Sequence, residues 1–214
     1  MNTLKAFQAL QNPAAERNKE PLRQALAPML PRSGRLLELA SGALQHALHI
    51  APQHPGLIWQ CSELNEQVLA LAPNYIAALG EHWPSNVQAP VPLDAANTPW
   101  DQPRLDVIFT ANLLHISPFT VTQALFSQAA VHLQANGLLL IYGPFKHHDR
   151  FQSEGDAQFD ASLRSRNPQW GIRSREALEQ LAVAAGLQPE EAMHMPANNW
   201  LLAFRQSARN VPSQ

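Results

Sequence analysis

Short apolar runs alternate with helix-like segments along most of the 214-residue chain, and this alternation constrains the fold more than any other feature. Each run of strand character is followed by a segment whose apolar residues recur at helical spacing. The predicted strands cover residues 35–40, 57–62, 87–93, 105–111 and 138–143, and the predicted helices cover residues 20–27, 42–51, 65–79, 117–133 and 174–186. Such alternation is typical of a parallel, doubly wound sheet with right-handed crossovers.

Two further strand-like runs, 187–195 and 199–205, close the chain with only a short connection between them. A short connection joins antiparallel strands, whereas parallel strands need a long crossover. The run at 87–93 contains Pro90 and Pro92, which suit an edge strand better than a central one. We therefore predict an α/β fold of the Rossmann-like kind, a doubly wound and mostly parallel sheet of about seven strands with an antiparallel edge strand.

The bulk properties restrict the class of protein. The length suits one domain with a sizeable core, so residues 1–214 are predicted as a single domain with loose ends at 1–13 and 207–214. A net charge of −2 provides no basic field for nucleic acid, and no such partner is expected. Cys61 is the only cysteine, so an internal disulfide is impossible and nothing indicates secretion.

We predict neither a signal peptide nor a membrane span. The first residues lack the basic and apolar regions of a signal peptide. Residues 107–145 carry no Asp, Glu, Lys or Arg, but Asn112, His115 and other polar residues interrupt them too often for a membrane span. We therefore expect a cytoplasmic protein without a membrane partner.

In a doubly wound sheet, ligands bind beyond the carboxyl ends of the strands, so the residues that follow each strand are the candidate site. Ala40, Ser41 and Gly42 follow the first strand, where small residues let a ligand approach the backbone and the next helix offers free amides to an anion. A tight strand-to-helix turn without a ligand explains the same residues equally well. The segment lacks both the dinucleotide glycine pattern and the nucleotide-triphosphate P-loop.

Acidic residues follow the next two strands. Glu63 stands about 20 residues beyond the turn, where a carboxylate can accept both ribose hydroxyls, although a solvated glutamate is the simpler interpretation. Asp94 can accept from an adenine amino group, or it is an ordinary turn residue. Asn112 and His115 follow the fourth strand. Together these strand ends predict an adenosine pocket with helix amides for a carboxylate, and S-adenosylmethionine has both features.

Several segments also carry a resemblance to a known family over residues 13–205. They are 14–19 (AAERNK), 37–42 (LELASG) with Gln45 and His46, 112–118 (NLLHISP), 142–145 (YGPF), 159–160 (FD) with Leu163 and Arg164, 168–173 (PQWGIR) and 195–199 (MPANN). In order and extent the chain resembles domain-of-unknown-function family 938, which includes methyltransferase-like protein 26. The resemblance implies a class I methyltransferase fold with S-adenosylmethionine as cofactor.

Carried over position by position, the resemblance assigns roles at the strand ends. Ala40, Ser41 and Gly42 would line the methionine end of the cofactor, Glu63 the ribose and Asp94 the adenine. The predicted cofactor set is completed by Glu38 and Asn112.

The chain departs from the family pattern at two positions. It has Leu44 where the family usually has a second glycine, and Glu63 where the family usually has aspartate. Leu44 adds a branched side chain beside the expected methionine path, which puts cofactor binding in doubt. We expect a negative φ at Leu44 and a side chain directed away from the cofactor, because Gln45 and His46 match the family and the helix can start earlier.

A second group of polar residues in the shared segments predicts a substrate pocket. Its members are Arg17, Asn18, Lys146, Asp160, Arg164, Trp170, Asn198 and Asn199. Alternatively, Asp160 and Arg164 only pair with each other on a helix and Trp170 is part of the core. No metal is expected. His46 and His49 lack a third ligand at suitable spacing, and residues 147–149 (HHD) are predicted to form an exposed loop.

The leading hypothesis is methyl transfer from S-adenosylmethionine to a small or medium-sized acceptor. His115 is the candidate general base because a histidine pKa can lie near neutrality. Asn112 would orient the donor or the acceptor, and Tyr142 is a reserve candidate. Two alternatives stay open: a catalytically inactive methyltransferase-fold binding module, and a nicotinamide-dependent oxidoreductase, which the missing glycine fingerprint disfavours.

Overall fold

The computed structural model describes residues 3–207. The seven α-helices in this part of the chain are α1 (Thr3–Gln8), α2 (Pro13–Leu26), α3 (Gln45–Ile50), α4 (Glu66–Leu79), α5 (Phe119–His132), α6 (Glu154–Arg166) and α7 (Arg175–Ala184). The nine strands are β1 (Gly34–Leu39), β2 (Leu57–Glu63), β3 (Val87–Pro92), β4 (Leu105–Ala111), β5 (Leu133–Lys146), β6 (Arg173–Ser174), β7 (Leu187–Pro189), β8 (Met193–Met195) and β9 (Asn199–Gln206). In the described residues no helix is both long and apolar enough to cross a membrane.

The first compact unit contains α1–α4, β1–β3 and the last three residues of β4, 109–111. Its strand order is β3-β2-β1-β4. β1 and β2 pair in parallel, from Gly34 opposite Leu57 to Glu38 opposite Cys61. β2 also pairs in parallel with β3, which stands at the end of this strand order, as its prolines predict.

Aromatic side chains fill the core of the first unit. Phe7 of α1 stacks on Tyr75 of α4 with ring centroids 4.2 Å apart. Trp59 of β2 is fully buried and meets Phe109 edge to face at 6.1 Å. Helix α1 lies in the segment expected to be a loose end. The burial of Phe7 supplies the apolar area that orders it.

The second compact unit contains residues 95–108 and the described residues from 112 onward. Its strand order is β4-β5-β9-β7. β9 runs antiparallel to β5, from Leu138 opposite Arg205 to Pro144 opposite Asn199. β7 and β8 pair antiparallel with β9, and the short β6 pairs in parallel with the end of β5. The expected α/β class, with a mostly parallel sheet and antiparallel edge strands, is therefore confirmed.

Two helices continue through a proline. α2 begins at Pro13, with the Asn12 side chain accepting from the Ala14 amide, and it includes Pro21. α4 begins after Asn65 as expected and continues through Pro73 to Leu79. A proline inside a helix removes one backbone hydrogen bond. Both helices bury an apolar face, and that packing offsets the loss.

Candidate functional site

The loop after β1 has an unusual backbone. Ala40, Gly42 and Leu44 all have positive φ, of 54°, 54° and 63°. The left-handed region costs a residue other than glycine about 1–2 kcal/mol, so two of the three positions are strained. A Cβ built on Gly42 meets no atom within 4 Å, so space is open beside the loop backbone.

The expected negative φ at Leu44 is wrong. Leu44 occupies the left-handed conformation that a glycine favours, and it immediately precedes α3. Its side chain is completely buried. Burial of a leucine side chain is worth about 1.5–3 kcal/mol, which is enough to offset the backbone strain. The loop therefore keeps a glycine-like geometry with a leucine in place.

Glu63 holds this loop in place from the end of β2. The Gly42 amide donates to its Oε2 at 2.7 Å, across 21 residues of sequence. Its Oε1 accepts from the amides of Leu64 at 2.7 Å and Asn65 at 3.0 Å, at the start of α4. The carboxylate is only 9% exposed. Glu63 is therefore an anchored carboxylate, which contradicts the alternative of a solvated glutamate.

Ser41 and Glu38 brace the same loop from within. The Ser41 amide donates to the Ser62 carbonyl at 2.9 Å, and both serine hydroxyls donate to the Glu38 carbonyl, at 3.2 Å for Ser41 and 2.8 Å for Ser62. The Glu38 carboxylate accepts from Trp59 Nε1 at 2.9 Å. Its other oxygen lies 3.7 Å from His46 Nδ1. Glu38 is 1% exposed, so it supports the loop from the core.

A cavity of about 500 Å³ opens where α1, α2 and α3 meet. Its lining includes Asn12, Glu16, Arg17 and Gln45. Gln45 fixes this wall, since its Oε1 accepts from the Asn12 amide at 2.7 Å and its Nε2 donates to Glu16 at 3.1 Å. Arg17 also lines this cavity, and its role in a substrate pocket stays a prediction.

Two other predicted site residues of the first unit, Asn18 and Asp94, lie apart in the chain. Asn18 of α2 hydrogen-bonds His46 Nε2 at 2.8 Å, so its side chain ties α2 to α3. Asp94 follows β3 and is exposed. His46 contacts Asn18 and Glu38, whereas His49 bonds Glu20 at 2.8 Å.

In the second unit, Asn112, His115 and Tyr142 lie near one another. Asn112 directly follows β4 with φ of 63°, and its amide donates to the Tyr142 carbonyl at 2.9 Å. Gly143, the next residue on β5, lies beside His115, because a Cβ built on it would be 3.6 Å from His115 Nδ1. His115 itself sits in a short 3₁₀ turn and packs edge to face on Phe159 at 5.6 Å.

The expectation that the pKa of His115 lies near neutrality is wrong. The ring is 7% exposed. Burial, reinforced by the positive charges of Arg173 and Arg166, lowers the pKa of His115 to about 4. The charged imidazolium loses solvation and meets like charges, so the neutral form is favoured. His115 is accordingly neutral at physiological pH.

Asp160 and Arg164 pair with each other on α6, as the alternative to the substrate-pocket hypothesis predicts. Arg164 Nε donates to Asp160 Oδ2 at 2.7 Å, and Asp160 Oδ1 accepts from the Ile172 amide at 2.6 Å. The pair leaves no room for a side chain at Gly171, where a Cβ would lie 2.6 Å from the Arg164 guanidinium. Trp170 is half-buried rather than part of the core, and the Arg166 guanidinium lies 5.7 Å from its ring.

The last three predicted pocket residues lie near the ends of β5 and β8. Lys146 Nζ stands 5.3 Å above the Phe151 ring. Asn198 has a positive φ of 56°, and its side chain donates to Ser153 Oγ at 3.0 Å. The Asn199 side chain donates to the carbonyls of the turn before it, at 3.1 Å each. Asn198 therefore ties its turn to the start of α6, whereas Asn199 stabilises the turn itself. Convergence of all eight residues into one pocket stays a prediction.

Sequence reasoning missed two residues that shape the surroundings of His115. Arg173 donates to the carbonyls of Leu114, Ser117 and Gln169, which fixes the turn that carries His115. Phe159 supplies the aromatic wall. Both lie in segments that carried the family resemblance. That shared position was the signal available in the sequence.

The family is shown by a direct match. A family model described as "Protein of unknown function (DUF938)" matches residues 9–206. The chain belongs to this family. Its fold is that of the class I methyltransferases, and the solved structures it resembles are methyltransferases at low sequence identity.

Three of these structures illustrate the likeness. Human N-acetylserotonin methyltransferase in complex with SAM has a TM-score of 0.75 at 16% identity, covering 96% of this chain and 56% of that one. An O-methyltransferase family 2 protein from Planctomyces limnophilus DSM 3776, in complex with apigenin, has a TM-score of 0.69 at 19% identity, covering 89% and 61%. CalO1, a methyltransferase in calicheamicin biosynthesis in its SAH-bound form, has a TM-score of 0.68 at 19% identity, covering 88% and 53%.

The DUF938 chain thus spans about three-fifths or less of the length of these neighbours. At such identities the likeness concerns the fold alone.

Proposed function

We propose that this DUF938 protein is an S-adenosylmethionine-dependent methyltransferase that acts on a small or medium-sized acceptor. The observation that carries the proposal is the hydrogen bond from the Gly42 amide to the buried Glu63 carboxylate. It links the acidic group after β2 to the loop after β1 within one compact unit. An adenosine ligand needs a carboxylate for the ribose and, beside it, backbone that it can approach closely.

The residues of the first unit fit such a ligand in three respects. A carboxylate oxygen has two acceptor positions, so Glu63 Oε2 can take a ribose hydroxyl in addition to the Gly42 amide. The space beside Gly42 is open. Asp94 is exposed after β3, where an adenine amino group would need an acceptor. Ala40 and Ser41 would line the methionine end, with Glu38 bracing them from the core.

When bound, the cofactor supplies a methyl group activated by its sulfonium. Within the second unit, Asn112, His115 and Tyr142 are the proposed residues for handling of an acceptor. A neutral imidazole at His115 can take the proton that an acceptor hydroxyl releases. A base with a pKa near 4 is weak, so we expect an acceptor with an acidic hydroxyl, such as a phenol. Apigenin, present in one structural neighbour, is a first acceptor to test.

Cofactor binding is tested by calorimetry with S-adenosylmethionine and S-adenosylhomocysteine on the wild type and on Glu63→Gln. A hydrogen bond to a charged group is worth about 1.5–3 kcal/mol, so the variant should bind at least about tenfold more weakly. Glu66→Gln is the matched control. It changes the same charge three residues away, on an exposed position of α4, and should bind as the wild type does.

Urea unfolding of each variant separates loss of the site from loss of the fold. Equal cofactor affinities in wild type and Glu63→Gln would remove Glu63 from the ribose site. Binding of NAD without binding of S-adenosylmethionine would favour an oxidoreductase instead.

A catalytically inactive binding module is the second candidate, and the left-handed Leu44 is the observation that favours it. A leucine beside the methionine path is tolerated only if its buried side chain leaves that path open. Release of S-adenosylhomocysteine in the presence of a phenol panel is expected from an enzyme. Cofactor binding without turnover across the panel would instead favour the binding module.

A further inference from the structure

A tight turn follows β5 and brings two histidines together. His147 and Arg150 exchange backbone hydrogen bonds of 3.1 and 3.0 Å, which closes a two-residue turn. The two residues within it, His148 and Asp149, have φ of 50° and 54°. Turns of this kind usually use asparagine and glycine, because other residues are strained in the left-handed region. The consequence is that the His147 and His148 rings lie only 3.9 Å apart, centroid to centroid.

A carboxylate from the first turn of α7 meets these rings. Glu176 Oε1 lies 2.7 Å from His147 Nδ1 and 3.6 Å from His148 Nδ1, and it also accepts from the His148 amide at 3.0 Å. Its Oε2 accepts from Ser174 Oγ at 2.7 Å. Ser174 is paired in register with Lys146 of β5, so strand pairing fixes the approach of the carboxylate to the turn.

We propose that His147, His148 and Glu176 form a binding site for a divalent transition-metal ion of the Zn²⁺ type. One ligand atom from each residue lies within 4.8 Å of the other two. Zinc binds imidazole nitrogen and carboxylate oxygen at about 2.0–2.2 Å, so tetrahedral ligand atoms stand about 3.4 Å apart. The Glu176 Oε1 atom already stands 2.7 Å from His147 Nδ1 and 3.6 Å from His148 Nδ1, so small side-chain rotations would bring the ligand atoms to that spacing.

The donor set selects the class of ion. Two imidazoles and one carboxylate suit zinc and similar transition metals, whereas magnesium and calcium prefer oxygen ligands alone. Three protein ligands leave a fourth position for water. The imidazole side chains are 47% and 76% exposed, so an ion from solution can reach them.

Two neighbouring cations, Arg175 and Lys146, are directed towards aromatic rings. The Arg175 guanidinium lies over the Trp200 ring at 4.4 Å, and Lys146 Nζ lies 5.3 Å from the Phe151 ring. Glu176 therefore faces the two histidines and the Ser174 hydroxyl. Sequence analysis assigned no metal here, because Glu176 stands 28 residues beyond His148 and meets it only in the folded chain.

The test is zinc titration of the full chain after treatment with a chelator, by calorimetry and by competition with a colorimetric zinc indicator. Cobalt substitution, read by visible absorption, reports the coordination number. We expect one ion per chain. His148→Gln should bind at least tenfold more weakly, while His82→Gln, at an exposed histidine in the first unit, should bind as the wild type does.

Glu176→Gln is the second variant and should also weaken binding at least tenfold. Since α7 begins beside Glu176, far-ultraviolet circular dichroism checks that this variant is folded. Zinc affinity that is equal in wild type and His148→Gln, or absent from a folded wild type, overturns the proposal. These measurements need neither S-adenosylmethionine nor turnover, so their outcome is independent of the proposed methyltransferase function.

Discussion

Because His115 is buried, the free energy of unfolding is expected to fall markedly as the pH drops from 7 to 5. Its ring is 7% exposed and packs on Phe159, and burial together with Arg173 and Arg166 lowers its pKa to about 4. In an unfolded chain, the pKa of a histidine is near 6.5. Between these two values the unfolded state binds a proton that the folded state does not. Acid therefore favours unfolding, and the stability present above pH 6.5 is lost as the pH falls towards 4.

The magnitude follows from the two pKa values. One pKa unit corresponds to about 1.36 kcal/mol, so a displacement from 6.5 to about 4 is worth about 3.4 kcal/mol when fully expressed. Between pH 7 and pH 5, the linkage relation gives a loss of about 1.8 kcal/mol from this residue alone. That is a large share of the 5–15 kcal/mol that stabilises a typical domain, so it should be readily measured.

The assay is urea unfolding, followed by tryptophan fluorescence, of wild type and His115→Gln at pH 7, 6 and 5. Glutamine fills part of the ring volume and does not titrate. We expect the free energy of unfolding to fall between pH 7 and pH 5 by about 1.8 kcal/mol more in the wild type than in the variant. His82→Gln removes an exposed histidine and controls for the general effect of losing one titrating imidazole.

The variant also distinguishes packing from titration. A constant loss of stability at all three pH values reports only the packing of the ring. If wild type and His115→Gln show the same pH dependence, the His115 pKa is the same in the folded and the unfolded protein, and the argument from its burial and its arginine neighbours is refuted.

Two further predictions concern the backbone. Gly171→Ala should lower the free energy of unfolding by at least about 2 kcal/mol, because its φ is +145° and the new Cβ would lie 2.6 Å from the Arg164 guanidinium and 2.8 Å from Asp160 Oδ1. Gly155→Ala, inside α6, is the control and should be neutral or stabilising by up to about 1 kcal/mol; equal losses in both would mean that Gly171 is not confined. Leu44→Gly should lose about 1–3 kcal/mol in the same assay, because removal of a buried leucine side chain costs more than the 1–2 kcal/mol of relieved strain. A more stable glycine variant would show that the Leu44 side chain contributes little to the core.

Local sequence determined the central elements and one helix start. β4 has the bounds that its apolar run predicts, 105–111, because a strand covered on both faces is largely apolar. Asn65 caps α4 as expected, since its side chain accepts from the amides of Gln67 and Val68. Alternation of such runs with helices was sufficient to predict the α/β class. The order and register of the strands were not predicted residue by residue.

Tertiary packing determined the bounds of the helices and strands in which local sequence preference and tertiary contacts disagree. Pro21 and Pro73 lie within helices, because the apolar face that each helix buries outweighs one lost hydrogen bond. The fifth strand begins at Leu133 rather than at the expected 138, and the left-handed Asn136 with φ of 64° lies within it. A residue that marks a turn in sequence becomes an irregularity within a strand when neighbouring strands supply the hydrogen bonds.

The candidate sites depended most on tertiary structure, because their chemistry comes from residues distant in sequence. The sequence could place Glu63 after a strand, but only the fold joins its carboxylate to the Gly42 amide. It could name His115, but its pKa follows from burial and from Arg173, which lies 58 positions further along. Leu44 adopts a left-handed backbone that no local rule predicts for leucine, because its buried side chain stabilises that conformation. Propensity and periodicity act between near neighbours, whereas dielectric environment, charge proximity and tolerated strain belong to the packed molecule.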